Sequence, residues 1–244
     1  MSDRYDSLME ILTWRRSIRR YKNKPVSDEA LLKICDAGHY AMAGGNSQPW
    51  EFIIVKDTNT IEALRKVYEE GDFRWTYWLE QQRSEQYRHP AFNFPQNELE
   101  ERARKATEQL AAPAIICLMY DPRKQFGSVL SARADMADGS QSVISCTMGG
   151  CCMTMQIAAA SLGLSSARCD CNQQDGYRKV LGYPEPVFLY AMMPVGYRDY
   201  EPGPPKRLPL ENLIHYEHYD TDKYMEDDEV LKHILKIRGQ YGKI

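Results

Sequence analysis

The sequence has no excess of positive charge. Its 31 lysine and arginine residues face 34 aspartate and glutamate residues, so the formal net charge is −3 at pH 7. A protein that binds nucleic acid or an anionic membrane surface needs a positive field, which this composition does not supply. The sequence therefore predicts neither nucleic acid nor a membrane as a partner.

The sequence also lacks the cysteine pairs that bind metals. None of its seven cysteines belongs to a Cys-x-x-Cys pair, and Cys151 and Cys152 would point about 100° apart on a helix. We therefore predict no metal site. Cys169 and Cys171 would form a reactive pair if exposed, so a thiol-based redox sensor stays open as an alternative. An odd number of cysteines cannot all form disulfides, and the polar N-terminus is unlike a signal peptide, which together predict a cytoplasmic protein.

No charged residue occurs between positions 139 and 167, a stretch of 29 residues that is long enough to cross a bilayer. Several polar side chains interrupt this stretch, and Gly149-Gly150 lies at its centre, so membrane insertion would be costly. A helix that is uncharged all round can equally lie buried inside a soluble assembly. We expect the buried arrangement.

The pattern of apolar residues predicts an α+β domain. Three apolar runs have the length of buried strands and lie at residues 52–55, 114–119 and 187–195. Hydroxyl residues suited to begin helices are Ser7, Ser27 and Thr60. Pro194 indicates that the last strand lies at an edge or that Pro194 is near its end. Short strands with helices between them predict a single domain over residues 1–244.

Two polar motifs lie on either side of the helix that Ser27 begins. Arg15-Arg16-Ser17-Ile18-Arg19 places three guanidinium groups and a hydroxyl within five residues. Guanidinium groups bind phosphate bidentately, although a solvated helix end is the alternative interpretation. Asn46-Ser47-Gln48-Pro49-Trp50 carries two amides on a glycine-rich loop before a buried strand. Binding groups commonly lie on such loops, although an ordinary turn is the alternative.

Together these motifs resemble the FMN-dependent nitroreductase-like family. That family has Arg-Arg-Ser-x-Arg-x-[Tyr/Phe] near its start, then a helix, then Asn-x-Gln-Pro-Trp-x-Phe before a hydrophobic strand. The corresponding residues here are 15–21 and 46–55. Further segments match in order at residues 158–164, 180–184 and 196–215. The resemblance implies a nitroreductase-like α+β fold with a central, mainly antiparallel sheet flanked by helices.

The resemblance also implies an intertwined homodimer with two FMN sites at its interface. Arg15, Arg16 and Ser17 would hold the phosphate and the ribityl chain. Arg207 matches a further phosphate contact of the family, and Lys206 is expected to share that contact.

Other residues would contact the flavin ring. Arg19 falls where the family places a cation beside flavin N1 and O2, where reduction leaves negative charge. The loop residues expected to reach the partner's flavin are Ala43, Gly44, Asn46 and Gln48. Backbone groups of Ser166 and Ala167 are expected near flavin N5.

Two segments are interpreted separately. Residues 71–110 fall outside the resemblance and are rich in aromatic residues, so they form either a lid-like insertion over the substrate or a packed surface subdomain. Family members that recognise zwitterionic substrates use Glu, Tyr and Lys on a lid. Residues of those types here are Glu69, Glu70, Tyr77 and Lys105, but their spacing does not match that pattern. Residues 199–244 are expected to form a C-terminal arm that wraps the partner subunit.

The implied function is that of an FMN-dependent oxidoreductase. It would take hydride from NADH or NADPH and reduce a nitroaromatic, a quinone or an activated alkene by a ping-pong mechanism. No side chain is identified as a catalytic acid or base. The alternatives are a flavin-dependent reductive dehalogenase or metabolite-specific oxidoreductase on the same fold, and a non-enzymatic flavin and cysteine redox sensor.

Overall fold

The structure, a computed structural model, describes residues 2–124, 139–205 and 207–241. The helices used below are α1 Ser2–Trp14, α2 Asp28–His39, α3 Thr58–Val67, α4 Arg74–Gln81, α5 Leu99–Ala106, α6 Gly139–Ser161, α7 Gln174–Leu181 and α8 Asp227–Tyr241. The strands are β1 Trp50–Val55, β2 Ala114–Tyr120, β3 Ser165–Ser166, β4 Cys169–Asp170 and β5 Phe188–Gly196. A π-helix, Tyr68–Phe73, joins α3 to α4.

The strands form one antiparallel sheet in the order β1-β2-β5-β3, and β4 also pairs with β5. This arrangement confirms the predicted α+β fold class with an antiparallel sheet. The three predicted strands correspond to β1, β2 and β5, with ends that differ by one or two residues. Strands β3 and β4 were not predicted, because two residues are too few to show an alternating pattern.

Of the two predicted positions of Pro194, the edge strand is wrong, whereas a position near the strand end is confirmed, because β5 ends at Gly196. Strand β5 lies inside the sheet, with β2 on one side and the two short strands on the other. On that second side, β3 pairs with Val195 and Gly196, whereas β4 pairs with Ala191 and Met192. Pro194 therefore lies opposite the interruption between the two short strands, where a missing backbone N–H disturbs no pairing.

Two of the three predicted helix starts are wrong. Ser27 caps α2 as predicted. Ser7, however, lies inside α1, where its hydroxyl donates to the carbonyl of Asp3 at 2.6 Å. Such a bond inside a helix satisfies serine as well as a cap does. Helix α3 is capped by Asp57, whose carboxylate accepts from the N–H of Thr60 at 2.8 Å.

Two apolar layers enclose the sheet. Helices α2 and α6 pack on one face, which includes Ile116 and Leu118 of β2, whereas α3 and α7 pack on the other. The α2–α6 contact is close at Gly38, where an added Cβ would lie 2.6 Å from Cγ of Met155. Glycine at this position therefore lets the two helices approach.

Helix α6 is only partly covered by its own chain. Its stretch Val143–Ser161 is long and apolar enough to cross a membrane by length and composition, and 44% of the most apolar part is buried. A Cβ added at Gly149 or at Gly150 would have no atom within 4 Å, apart from the nearby backbone of the helix itself. The nearby side chain of Met153 is 47% exposed. The predicted full burial of this helix is therefore not reached within one chain.

The insertion and the C-terminal arm lie beside each other. Tyr77 of α4 is buried and stacks on Phe94, whereas the stacked indole rings of Trp75 and Trp78 are exposed. Helix α8 contacts the short 3-10 turn Pro90–Phe92 of the insertion. The C-terminal arm therefore touches the insertion of its own chain.

Candidate functional site

The first predicted motif follows α1 as an extended segment that extends the sheet. The backbone N–H of Ile18 donates to the carbonyl of Ser166 at 3.1 Å, and Ser17 forms a parallel bridge with Ser166. Ile18 anchors the segment because its side chain is almost fully buried. The structure therefore brings Ser17 next to Ser166 and Ala167.

Three guanidinium groups come together where α1 ends. Arg16 donates to the carbonyl of Gly203, and Arg15 reaches the side-chain carbonyl of Gln156 at 3.5 Å. Burial, with repulsion from Arg207 and Arg16, holds the pKa of Arg15 below its usual range. Among the described residues, no ion pair joins Arg15 or Arg16 to a carboxylate. A bound anion would relieve this repulsion, so the cluster suits a phosphate group.

Arg19 is directed to a different part of the same segment. Burial raises the pKa of the Cys169 thiol to about 12, and the nearby Arg19 guanidinium opposes that rise. Arg19 acts in the same direction on the buried phenol of Tyr21. Arg19 itself is exposed, so its charge is available beside the short strand β4.

Ser166 and Ala167 are both buried, with 2% of each residue exposed. The hydroxyls of Ser165 and Ser166 have no hydrogen-bond partner in the described part of the chain. An unpaired buried hydroxyl costs about 1–3 kcal/mol. This strand is therefore stabilised by its apolar neighbours and its backbone pairing rather than by its own side chains.

The second predicted motif is a strained loop. Gly45, Asn46 and Gln48 all have left-handed backbone angles, with φ values of 61°, 54° and 45°. The amide of Gln48 donates to Oδ1 of Asn46 at 3.3 Å. Left-handed angles at residues other than glycine cost free energy, and such residues concentrate at functional sites.

The loop and the arginine cluster contact α6 at different positions along its length. The N–H of Gly44 donates to Oγ1 of Thr147 at 3.5 Å, and a Cβ at Gly44 would lie 2.7 Å from Val143. Arg15 instead meets Gln156, nine residues further along the helix, which is about 14 Å at 1.5 Å per residue. The structure therefore does not bring Ala43, Gly44, Asn46 and Gln48 to the arginine cluster of the same chain. Lys206 lies outside the described residues.

Gln156 was missed as a site residue by the sequence analysis. It is 7% exposed on an uncharged helix, and Arg15 is its partner. An amide within a long uncharged stretch was the available signal, because buried polar groups need a partner.

The predicted reactive pair, Cys169 and Cys171, is not placed for thiol chemistry. Cys169 and Cys171 are both buried, and burial raises the pKa of each thiol. A thiol with a raised pKa is a poor nucleophile at neutral pH. Across the described ranges, no group of three His, Cys, Asp or Glu residues could hold a metal ion.

The sheet, the arginine cluster and the strained loop belong to an α+β protein in which the cluster lies next to the segment that pairs with β3. A family model described as the nitroreductase family matches residues 12–197. The chain therefore belongs to the nitroreductase family, and the resemblance drawn from the motifs is confirmed.

Relatives cover most of the chain at low identity. A Thermus thermophilus protein named NADH dehydrogenase is 26% identical over 210 residues, which cover 82% of this chain and 91% of that protein. Human iodotyrosine deiodinase 1 is 23% identical over 225 residues, which cover 88% of this chain and 70% of that protein. A shorter match, 35% identical over 66 residues, covers 38% of an Archaeoglobus fulgidus protein named putative NADH dehydrogenase/NAD(P)H nitroreductase.

A solved structure shares the fold. It is an NADPH:FMN oxidoreductase from Vibrio harveyi complexed with NAD+, with a TM-score of 0.63 and 18% identity. The match covers 96% of this chain and 86% of that chain.

The strained loop yields a test of its own. We expect Gln48→Gly to raise the free energy of unfolding of the ligand-free protein by about 0.5–1 kcal/mol, because glycine adopts a positive φ without strain. The matched control is Gln82→Gly, at a φ of −74°, which should lower it by about as much. Urea unfolding measures both variants. A loss of stability in Gln48→Gly equal to that of the control would show that position 48 stores no strain.

Proposed function

We propose that this protein is an FMN-dependent oxidoreductase that takes electrons from NADH or NADPH and passes them to an electron-poor small molecule. The observation that carries the proposal is the cluster of Arg15, Arg16 and Arg207, in which burial, together with repulsion from the other two cations, lowers the pKa of Arg15. The FMN phosphate, with roughly two negative charges at neutral pH, fits this need. Membership of the nitroreductase family supports the same cofactor and the same enzyme class.

Different residues around the cluster are proposed to hold different parts of FMN. Arg15, Arg16 and Arg207 bind the phosphate, and Lys206 is proposed to join them. The exposed hydroxyl of Ser17 faces the ribityl chain. When bound, FMN supplies the two-electron chemistry between NAD(P)H and the acceptor.

Other residues would act on the flavin ring. Arg19 holds a positive charge where reduction creates a negative one. The backbone of Ser166 and Ala167 lines the ring. No side chain is assigned as an acid or base.

The acceptor is proposed to be a nitroaromatic, a quinone or an activated alkene, reduced after the donor leaves in a ping-pong mechanism. The second candidate, a reductive dehalogenase or metabolite-specific oxidoreductase, is favoured by the similarity to human iodotyrosine deiodinase 1. Zwitterion recognition by the insertion has less support, because Tyr77 is buried against Phe94 and Lys105 pairs with Glu101 at 2.5 Å. The buried cysteines give little support to a thiol redox sensor.

We further propose a homodimer that forms through α6. The helix is apolar, its Gly149–Gly150 side is open, and Met153 beside it is half exposed. An exposed apolar face of this kind is typical of an association surface. In the dimer, the loop of residues 43–48 would serve the second site, which accounts for its distance from Arg15. The C-terminal arm, residues 199–244, is proposed to add to the interface, and a cytoplasmic location is proposed for the protein.

The phosphate assignment predicts the effect of removing two cations. Arg15→Ala combined with Arg207→Ala should weaken FMN binding by at least about 100-fold, because each charge-assisted hydrogen bond contributes about 1.5–3 kcal/mol. The control combines Arg102→Ala with Arg123→Ala, which removes equal charge from surface ion pairs. Quenching of FMN fluorescence on titration with flavin-free protein gives the dissociation constants. Equal affinities for the two double variants would place the phosphate elsewhere.

Arg19 should set the reduction potential rather than the affinity. Arg19→Ala should lower the two-electron midpoint potential by about 20–65 mV, the equivalent of about 1–3 kcal/mol for a hydrogen bond to a charged group. Arg20→Ala is the control, because Arg20 lies over the Tyr200 ring instead. Potentiometric titration of the bound flavin decides between them. A shift to more positive potential in Arg19→Ala would contradict the assigned role.

The dimer proposal predicts that filling the open side of α6 separates the subunits. Gly150→Leu should weaken dimerisation by at least about tenfold, because overpacking an interface costs about 1–3 kcal/mol. Lys33→Leu on α2, remote from that side, is the control. Sedimentation velocity over a range of concentrations measures both. Wild-type protein that sediments as a folded, flavin-loaded monomer would refute the proposal.

A further inference from the structure

Asp72 is a buried acid at the start of the insertion. It is 3% exposed and lies in the π-helix Tyr68–Phe73, which leads from α3 into α4. π-helices are rare, and they occur frequently at functional sites. Asp72 belongs neither to the arginine cluster nor to the strained loop.

Both carboxylate oxygens of Asp72 contact the segment that follows β4. The backbone N–H of Asn172 donates to Oδ1 at 2.5 Å, and the hydroxyl of Tyr177 donates to Oδ2. Tyr177 is fully buried in α7. One side chain therefore links the start of the insertion to a segment only six residues beyond Ser166.

The two elements that Asp72 links also pack closely on each other. A Cβ at Gly71 would lie 2.0 Å from the side chain of Gln173, and a Cβ at Gly176 would lie 2.6 Å from Val67. Each of the two elements therefore has a glycine where the other approaches.

Among the described residues, no cation forms an ion pair with Asp72, although Arg19 and Arg168 both interact with the neighbouring thiol of Cys169. The ionisable groups that interact with it electrostatically are Tyr68, Cys169, Asp170, Cys171 and Tyr177. Burial raises the pKa of Asp72, and the two hydrogen bonds only partly oppose that rise. A neutral leucine or asparagine would avoid this penalty, so the acid is poorly explained by stability alone.

We infer that Asp72 is a positioning residue for substrate binding, which acts through Asn172 and Tyr177 to fix the insertion of residues 71–110 beside the flavin-site segment. The inference rests on the proposed function, since the segment at Ser166 and Ala167 is proposed to line the flavin. The insertion is then a lid whose position is set by its first residues. Its exposed indoles, Trp75 and Trp78, lie on α4, the helix that directly follows Asp72.

Limited trypsin digestion tests the link without any flavin chemistry. Asp72→Ala and Tyr177→Phe should speed cleavage within residues 74–105 by about tenfold, while cleavage elsewhere keeps its wild-type rate, because local opening is governed by local contacts. Asp175→Ala, which removes an exposed acid from the same helix, is the control. An unchanged rate within the insertion, or equal acceleration at all sites, would overturn the inference. If Asp72→Ala fails to fold, Tyr177→Phe and the isosteric Asp72→Asn provide the comparison.

The pH dependence of stability separates the buried acid from a simple packing role. An acid with a raised folded pKa stabilises the protein below its unfolded pKa, near 3.9, and that contribution is lost as pH rises through the folded value. The urea midpoint of wild type relative to Asp72→Asn should therefore fall as the pH rises above about 4. A difference that does not change with pH would overturn the inference, because Asp72 would then act only as a packing group.

Enzyme kinetics tests whether the contacts of Asp72 affect substrate binding. In FMN-loaded Asp72→Asn and Tyr177→Phe, the KM for the electron acceptor should rise by about fivefold, while the rate of flavin reduction by NAD(P)H stays within about twofold of wild type. An unchanged acceptor KM would overturn the positioning role. A wild-type protein that binds no FMN would refute the proposed function instead, and the proteolysis result would still stand on its own.

Discussion

A helix without a single charged side chain organises this fold. The sheet, α1 and α2 cover part of α6, and the same helix carries both Gln156, which meets Arg15, and Thr147, which meets Gly44. A helix does not stretch, so the spacing between these two contacts is fixed at about 14 Å. The positions of the arginine cluster and of the strained loop therefore depend on how one apolar helix is packed.

Much of the sheet could be predicted from local composition. Strand β2 is buried along its whole length, and a continuous apolar run is typical of such a strand. The two-residue strands β3 and β4 could not be predicted, because they exist only through pairing with β5. Helix starts at Ser7 and Thr60 were wrong for a related reason: a hydroxyl can bond inside a helix, and Asp57 competes for the cap.

The residues of the candidate site also include some that could be predicted from the sequence and some that could not. Arg15, Arg16 and Arg19 were identified from the sequence, because their motif, together with the loop before β1, resembles that of a known family. Gln156 and Asp72 were not, since their importance depends on distant partners: Arg15 lies 141 positions from Gln156, and Tyr177 lies 105 positions from Asp72. A local sequence pattern does not show which residue of a helix a side chain far away in the sequence will contact. Whether the assigned residues hold FMN is still a prediction.

The meeting of Arg15, Arg16 and Arg207 has a consequence for the life of the protein in a cell. If these residues hold the FMN phosphate as proposed, the bound cofactor stabilises the folded state by RT ln(1 + [L]/Kd), because it binds only that state. The cofactor is then part of the folding equilibrium. Chains made while flavin is scarce spend more time in open forms that proteases degrade, so the amount of this protein would follow the supply of the vitamin.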